Sequence, residues 1–196
     1  MRLVVITPET PVAAEADAIM TMLDRGVERV HLRHPGQSAE AVDAIIEAID
    51  PQYRDRLSLN DFHELAARYG CGIHLNGRHP LPPAGFRGVV SRSCHSIAEA
   101  EAAAPTTDYR FISPVFDSIS KQGYTAAFTP AELRHAFDDG RLDTTTLALG
   151  GVSADNIGLL RDIGFSGAAV LGAAWGDGSR EDISQRINRL LQCCNS

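Results

Sequence analysis

Residues 30–49 read VHLRHPGQSAEAVDAIIEAI, and this stretch sets the unit from which the chain is built. Val30–Leu32 is a brief apolar run of the kind that forms a buried parallel strand. It ends in polar residues, His31-Leu32-Arg33-His34. Val42, Ile45, Ile46 and Ile49 follow at i, i+3, i+4 and i+7, one face of a helix. Similar apolar runs occur at Leu3–Ile6, Leu57–Leu59, Gly72–Leu75, Val89–Ser91, Tyr109–Ile112, Thr146–Leu149 and Ala168–Leu171. Helical patterns lie at Ala14–Arg25, Ile97–Ala104, Pro130–Phe137 and Asn156–Ile163. Ile183, Ile187, Leu190 and Leu191 mark a last helix. Ser96 and Ser153 or Asp155 are suitable N-caps, and Thr129 precedes Pro130, a good first helical residue.

Eight strands in 196 residues give a period of about 24 residues, which fits a single compact (β/α)8 TIM barrel over residues 1–196. Residues 76–88 hold three prolines and three glycines, so the fourth helix is expected to be weak or absent. Residues 192–196 read as a frayed end. A doubly wound open sheet is the rival, but no glycine-rich dinucleotide turn follows the first strand.

Composition narrows the function classes. The net charge of −7, with no basic run, speaks against nucleic acid and membrane surfaces. No apolar run approaches the ~20 residues of a membrane span, and the start does not resemble a signal peptide. A cytoplasmic location is expected. Cys71, Cys94, Cys193 and Cys194 show neither a disulfide framework nor paired metal-ligand spacing, so they read as free thiols.

In such a barrel the chemistry sits at the C-terminal ends of the strands. Those ends carry His31 and Arg33, Asn60-Asp61, His74 with Asn76 and Arg78, and Ser93-Cys94-His95. Six of the seven histidines lie on or soon after the second to fifth strands. Gly150-Gly151 after the seventh strand, and Leu171-Gly172 after the eighth, fall where barrels hold phosphate. Lys121 is the only lysine and sits in SISKQG, where Ser118, Ser120 and the ammonium can wrap an anion. Arg33 reads as a second anion contact. The expected partner is a small phosphate-bearing molecule, and a homo-oligomer is left open.

The chain resembles the thiamine-phosphate synthase and TenI family over nearly its whole length. HLRHPG (31–36), ND (60–61), GIHL (72–75), SCHSIAEA (93–100), SPVFDSISKQG (113–123), ALGGV (148–152) and GFSGAAVLG (164–172) carry the resemblance. It implies a TIM barrel that binds thiazole phosphates, and two chemistries. The synthase joins hydroxymethylpyrimidine diphosphate to a thiazole phosphate with magnesium. The TenI-like thiazole tautomerase moves a proton and needs no cofactor.

The thiazole-phosphate residues match in kind: Ser118, Ser120, Lys121, Gly150, Gly151 and Gly172. The diphosphate end departs from the pattern. Pro35 stands where the resemblance expects Lys, and His79 where it expects a second magnesium-holding Asp; Asp61 remains as a metal ligand. SCHSIAEA and Arg78 look closer to the tautomerase, and His95 maps to its acid–base residue. His is suited to giving and taking a proton near neutral pH. The tautomerase reading is placed first, the synthase second and a non-catalytic thiazole or thiamine phosphate binder third.

Overall fold

A computed structural model describes residues 1–117, 126–176 and 178–195. The first half runs β1 (Arg2–Ile6), α1 (Glu15–Asp24), β2 (Arg29–Leu32), α2 (Ala39–Ala48), α3 (Pro51–Arg54), β3 (Leu57–Leu59), α4 (His63–Tyr69) and β4 (Gly72–Leu75). The second half runs β5 (Val90–Cys94), α5 (Ile97–Ala103), β6 (Tyr109–Ile112), α6 (Pro130–Asp138), β7 (Thr146–Ala148), α7 (Leu159–Ile163), β8 (Gly167–Val170), α8 (Gly172–Trp175) and α9 (Arg180–Asn195). The strands form a closed barrel in chain order, all parallel, and β1 pairs with β8 to close it. The expected TIM barrel is therefore the observed fold.

Successive strand residues face opposite ways and so serve two cores. Leu3 and Val5 of β1 join the large core between sheet and helices. Val4 and Ile6 join a small inner core with Tyr109, Phe111, Leu147 and Ala169. His31 and His74 complete that interior: their rings lie 4.9 Å apart, at 5.0 and 5.2 Å from Phe111.

Local chemistry sets most helix starts. Ser38 and Ser96 accept from Ala41 N and Glu99 N, and Thr129 with Glu132 forms a capping box before Pro130. No helix joins β4 to β5. Two expectations are corrected. The helix expected from Asn156 begins at Leu159. Asn156 instead accepts from Ser153 N at 2.9 Å and donates to Gly151 O at 2.9 Å, so its side chain braces a loop where a helix ladder was expected. The tail is not frayed at Gln192, because α9 continues to Asn195. Cys194 is buried, and its carbonyl accepts from the Met1 ammonium at 2.8 Å and from Arg161 at 2.9 Å. All four cysteines are free; burial pushes the Cys71 thiol up to about 12 and the Cys94 thiol up to about 11. Among the described residues, no helix is long and apolar enough to cross a membrane.

Candidate active site

The C-terminal mouth of the barrel holds two adjoining cavities. The larger, about 830 Å³, is lined by Arg33, Asn60, His74, Arg78, Ser93 and His95, among others. The smaller, about 450 Å³, is lined by Gly150, Gly151 and Gly172, with Arg186 and Arg189 of α9 on its far side. Leu149 and Leu171 belong to both walls. The residues singled out after β2–β5 and those after β7–β8 are thus two lobes of one mouth. Ser118, Ser120 and Lys121 lie outside the described residues.

The large lobe is built by charged and polar side chains. Arg33 Nη1 donates to Glu9 at 2.9 Å, and Arg33 N donates to Thr7 Oγ1 at 2.9 Å. Beneath it, His34 and Glu15 form a buried pair at 2.7 Å. Arg92 lines the same cavity and donates to Pro80 O. Arg33, Arg78 and Arg92 line one chamber together with Glu9 and Glu99, so the mouth gathers three cations against two carboxylates in a protein of net charge −7.

Asn76 organises the rim. Its Oδ1 accepts from Arg78 N at 2.9 Å and His79 N at 3.1 Å, and its Nδ2 donates to Asn60 O at 2.8 Å. Arg78 then grips Asp61 with both ends of its guanidinium, at 2.8–3.1 Å. His79 Nε2 stands 3.2 Å from the same carboxylate. Asp61 is the sole carboxylate among the residues proposed for metal binding, and its charge is already met within the chain. A magnesium ion fits here only with one carboxylate, substrate phosphates and waters completing its shell.

His95 projects from the loop after β5 and is exposed. Its Nδ1 lies 3.2 Å from Ser113 O, a carbonyl that can only accept. Nδ1 is thus placed to donate to that carbonyl, which in the neutral ring puts the lone pair on Nε2, an atom with no partner among the described residues. His95 N donates to Glu99 at 2.7 Å. This arrangement offers a base at the mouth.

His31 was singled out as a ligand contact, but the structure puts it inside the barrel. It is fully buried, and its Nε2 lies 2.5 Å from Tyr109 Oη. Burial holds it well below the usual imidazole range, with His74 and Arg29 adding to the effect. His74 is also buried yet reaches the cavity floor; burial first, then His63, Arg92 and Arg33, lowers it to about 3. The side-chain Oδ1 of Asn60, which lines the same cavity, is buried and has no hydrogen-bond partner among the described residues. Glu9, Arg92, Glu99, Arg186 and Arg189 were missed by sequence reasoning. For Arg92 a signal existed, a charged residue directly after the apolar run Val89–Ser91 and before Ser93.

The glycine pair has a packing cause. A Cβ on Gly150 would meet Pro114 at 2.8 Å, and one on Gly151 would meet Phe116 O at 2.7 Å as well as Asp117 O. Both take positive φ, +91° and +66°. The loops after β6 and β7 approach so closely that only glycine fits.

The family profile described as "Thiamine monophosphate synthase" matches residues 3–174, which leaves α9 outside the match. The thiamine-phosphate synthase of Serratia proteamaculans is 31% identical over 176 residues, covering 83% of this chain and 81% of that one. The thiamine-phosphate synthase of Geobacillus thermodenitrificans is 28% identical over 170 residues, covering 80% and 76%. The crystal structure of thiamine phosphate pyrophosphorylase from Bacteroides thetaiotaomicron superposes with a TM-score of 0.89 at 31% identity, covering 100% of this chain and 98% of the other. A barrel of this topology, matched over that span, belongs to the thiamine monophosphate synthase family of enzymes.

Proposed function

We propose that this chain is a transferase of the synthase kind, joining hydroxymethylpyrimidine diphosphate to a thiazole phosphate with release of diphosphate. The observation that carries the reading is the two-lobed mouth. A condensation needs two ligands side by side, and the lobes of about 830 and 450 Å³ share the wall formed by Leu149 and Leu171. The relatives' names support the same order, which reverses the preference drawn from sequence.

In this reading the diphosphate sits in the large lobe, and the thiazole phosphate against Gly150, Gly151 and Gly172. The bond to diphosphate breaks as the bond to the thiazole forms. Negative charge grows on the leaving group, and Arg33, Arg78 and Arg92 meet it with fixed cations. Magnesium, when bound, would neutralise part of the same charge, and Asp61 is the residue to hold it. Arg78 must then give up Asp61. The Arg78 side chain is 52% exposed and has solvent to turn into, while Asp61, 11% exposed, stays in place to take the cation.

The TenI-like tautomerase is the second reading, and His95 favours it. Its free Nε2 can take a proton from a bound thiazole and return it at another atom. Pro35 and the Arg78–Asp61 pair also suit a reaction without metal. One preparation assayed in two arms separates the readings. With both substrates and Mg²⁺, thiamine phosphate is expected. Product only from the thiazole tautomer without metal would reverse the order, and silence in both arms would leave a binding protein.

A further inference from the structure

Beneath the large lobe runs a hydrogen-bonded file that the proposed reaction does not use. Ser91 of β5 is fully buried, with Oγ 3.2 Å from Ile73 O and 2.9 Å from His74 Nδ1. On the other side of the ring, His74 Nε2 stands 2.8 Å from Ser93 Oγ. Ile73 O is a carbonyl and can only accept. Ser91 has one proton; given to Ile73 O, it leaves Ser91 to accept from His74, with the ring proton on Nδ1 and the lone pair on Nε2. In that order Ser93 donates to Nε2. A doubly protonated ring would break this order, but burial lowers His74 to about 3 and keeps it neutral at pH 7.

Ser93 lines the large lobe. With its single proton spent inward, only lone pairs are left to face a ligand. We infer that Ser91 is a positioning residue: it fixes the tautomer of His74 and thereby makes Ser93 a hydrogen-bond acceptor at the floor of the large lobe. The ligand atom that meets Ser93 is then a donor, an amino or hydroxyl group, and a bare phosphate oxygen is disfavoured there. Diphosphate charge falls to the arginines above. The inference shares with the proposed function only the large lobe as a ligand seat.

Long-range proton–nitrogen NMR of the ligand-free protein at pH 7 reads the two ring nitrogens of His74. A protonated Nδ1 and an unprotonated Nε2 are expected. The reverse pattern, or two equivalent nitrogens, overturns the inference. Ser91→Ala removes the acceptor and is expected to move the proton to Nε2 in most molecules, whereas Ser91→Thr keeps it on Nδ1. In Ser91→Ala the Ser93 hydrogen turns outward, and inorganic diphosphate should bind about threefold more tightly by calorimetry, the gain of one charge-assisted donor offset by its desolvation. An unmoved proton in Ser91→Ala sinks the part given to Ser91. A moved proton with weaker diphosphate binding sinks the orientation given to Ser93. Should Ser91→Ala fail to fold, Ser91→Cys, a much weaker acceptor, carries the same test. No arm requires turnover, so loss of the synthase reading would leave the result standing.

Discussion

The two lobes of the mouth are made in different ways. The large lobe is a side-chain structure: Arg33, Arg78, Arg92, His95 and Glu99 project into it from several elements. The small lobe is mainly a backbone structure, shaped by glycines that a neighbouring loop forbids to grow. A side-chain site can be rewritten one residue at a time while the barrel stays intact. A backbone site resists, because changing it moves the frame. The departures from the synthase pattern, Pro35 and His79, both fall at the large-lobe end, where rewriting is cheap.

His95→Ala would strike that contrast hardest. If the tautomerase arm is active, its rate should fall about 10²–10⁴-fold, the usual worth of a general acid–base group, with thiazole-phosphate binding kept. Equal rates in variant and wild type would remove His95 from any proton transfer.

Acid should attack the two lobes unequally. His74 is neutral when folded, at about 3, but takes a proton near 6.5 when unfolded. Below pH 6.5 the unfolded chain binds more protons, so the stability held by neutral His74 is full above that pH and drains as pH falls toward the folded value. Roughly 2–3 kcal/mol should be lost by pH 4.5. Urea unfolding at the two pH values tests this, and a flat profile would contradict it. His74→Gln should flatten the slope. His74 lines the large lobe and not the small one, so thiazole-phosphate binding should outlast diphosphate binding as pH drops.

Gly151→Ala is the matching blow to the backbone lobe. Positive φ and the contact with the loop after β6 should destabilise the protein by about 2 kcal/mol, seen as a lowered Tm. A wild-type melting curve would show that the loop yields. Arg78→Ala should be the mildest change, costing about 1 kcal/mol of stability, and it frees Asp61 from its bidentate partner while His79 stays beside it. Manganese titration should then show tighter binding than in wild type; no gain would mean that Arg78 does not compete for Asp61.

The repeat of strand and helix was legible because burial writes itself into runs such as Leu57–Leu59 and into the spacing of Val42, Ile45, Ile46 and Ile49. Short elements were not. In α4 only His63, Leu65 and Ala66 are buried, too few to show a period. The direction of a side chain was also hidden. His31 and Arg33 both lie on the outgoing end of β2, yet one enters the barrel beside Tyr109 and the other lines the mouth. Parity along a strand separates faces but does not say which face opens to ligand. Nothing in the sequence marks Glu15; its partner His34 arrives from the loop after β2 and the two are buried together. Such pairings exist only after the chain closes.

The shared wall of Leu149 and Leu171 has a thermodynamic consequence. Leu171 is 37% exposed, so an occupant on either side covers apolar surface that the other occupant also touches. Any change that filling one lobe makes in the affinity of the other must be the same factor in both directions. The partition between the lobes is thereby a coupling element: the order in which ligands arrive alters the route but not the free energy of the filled mouth.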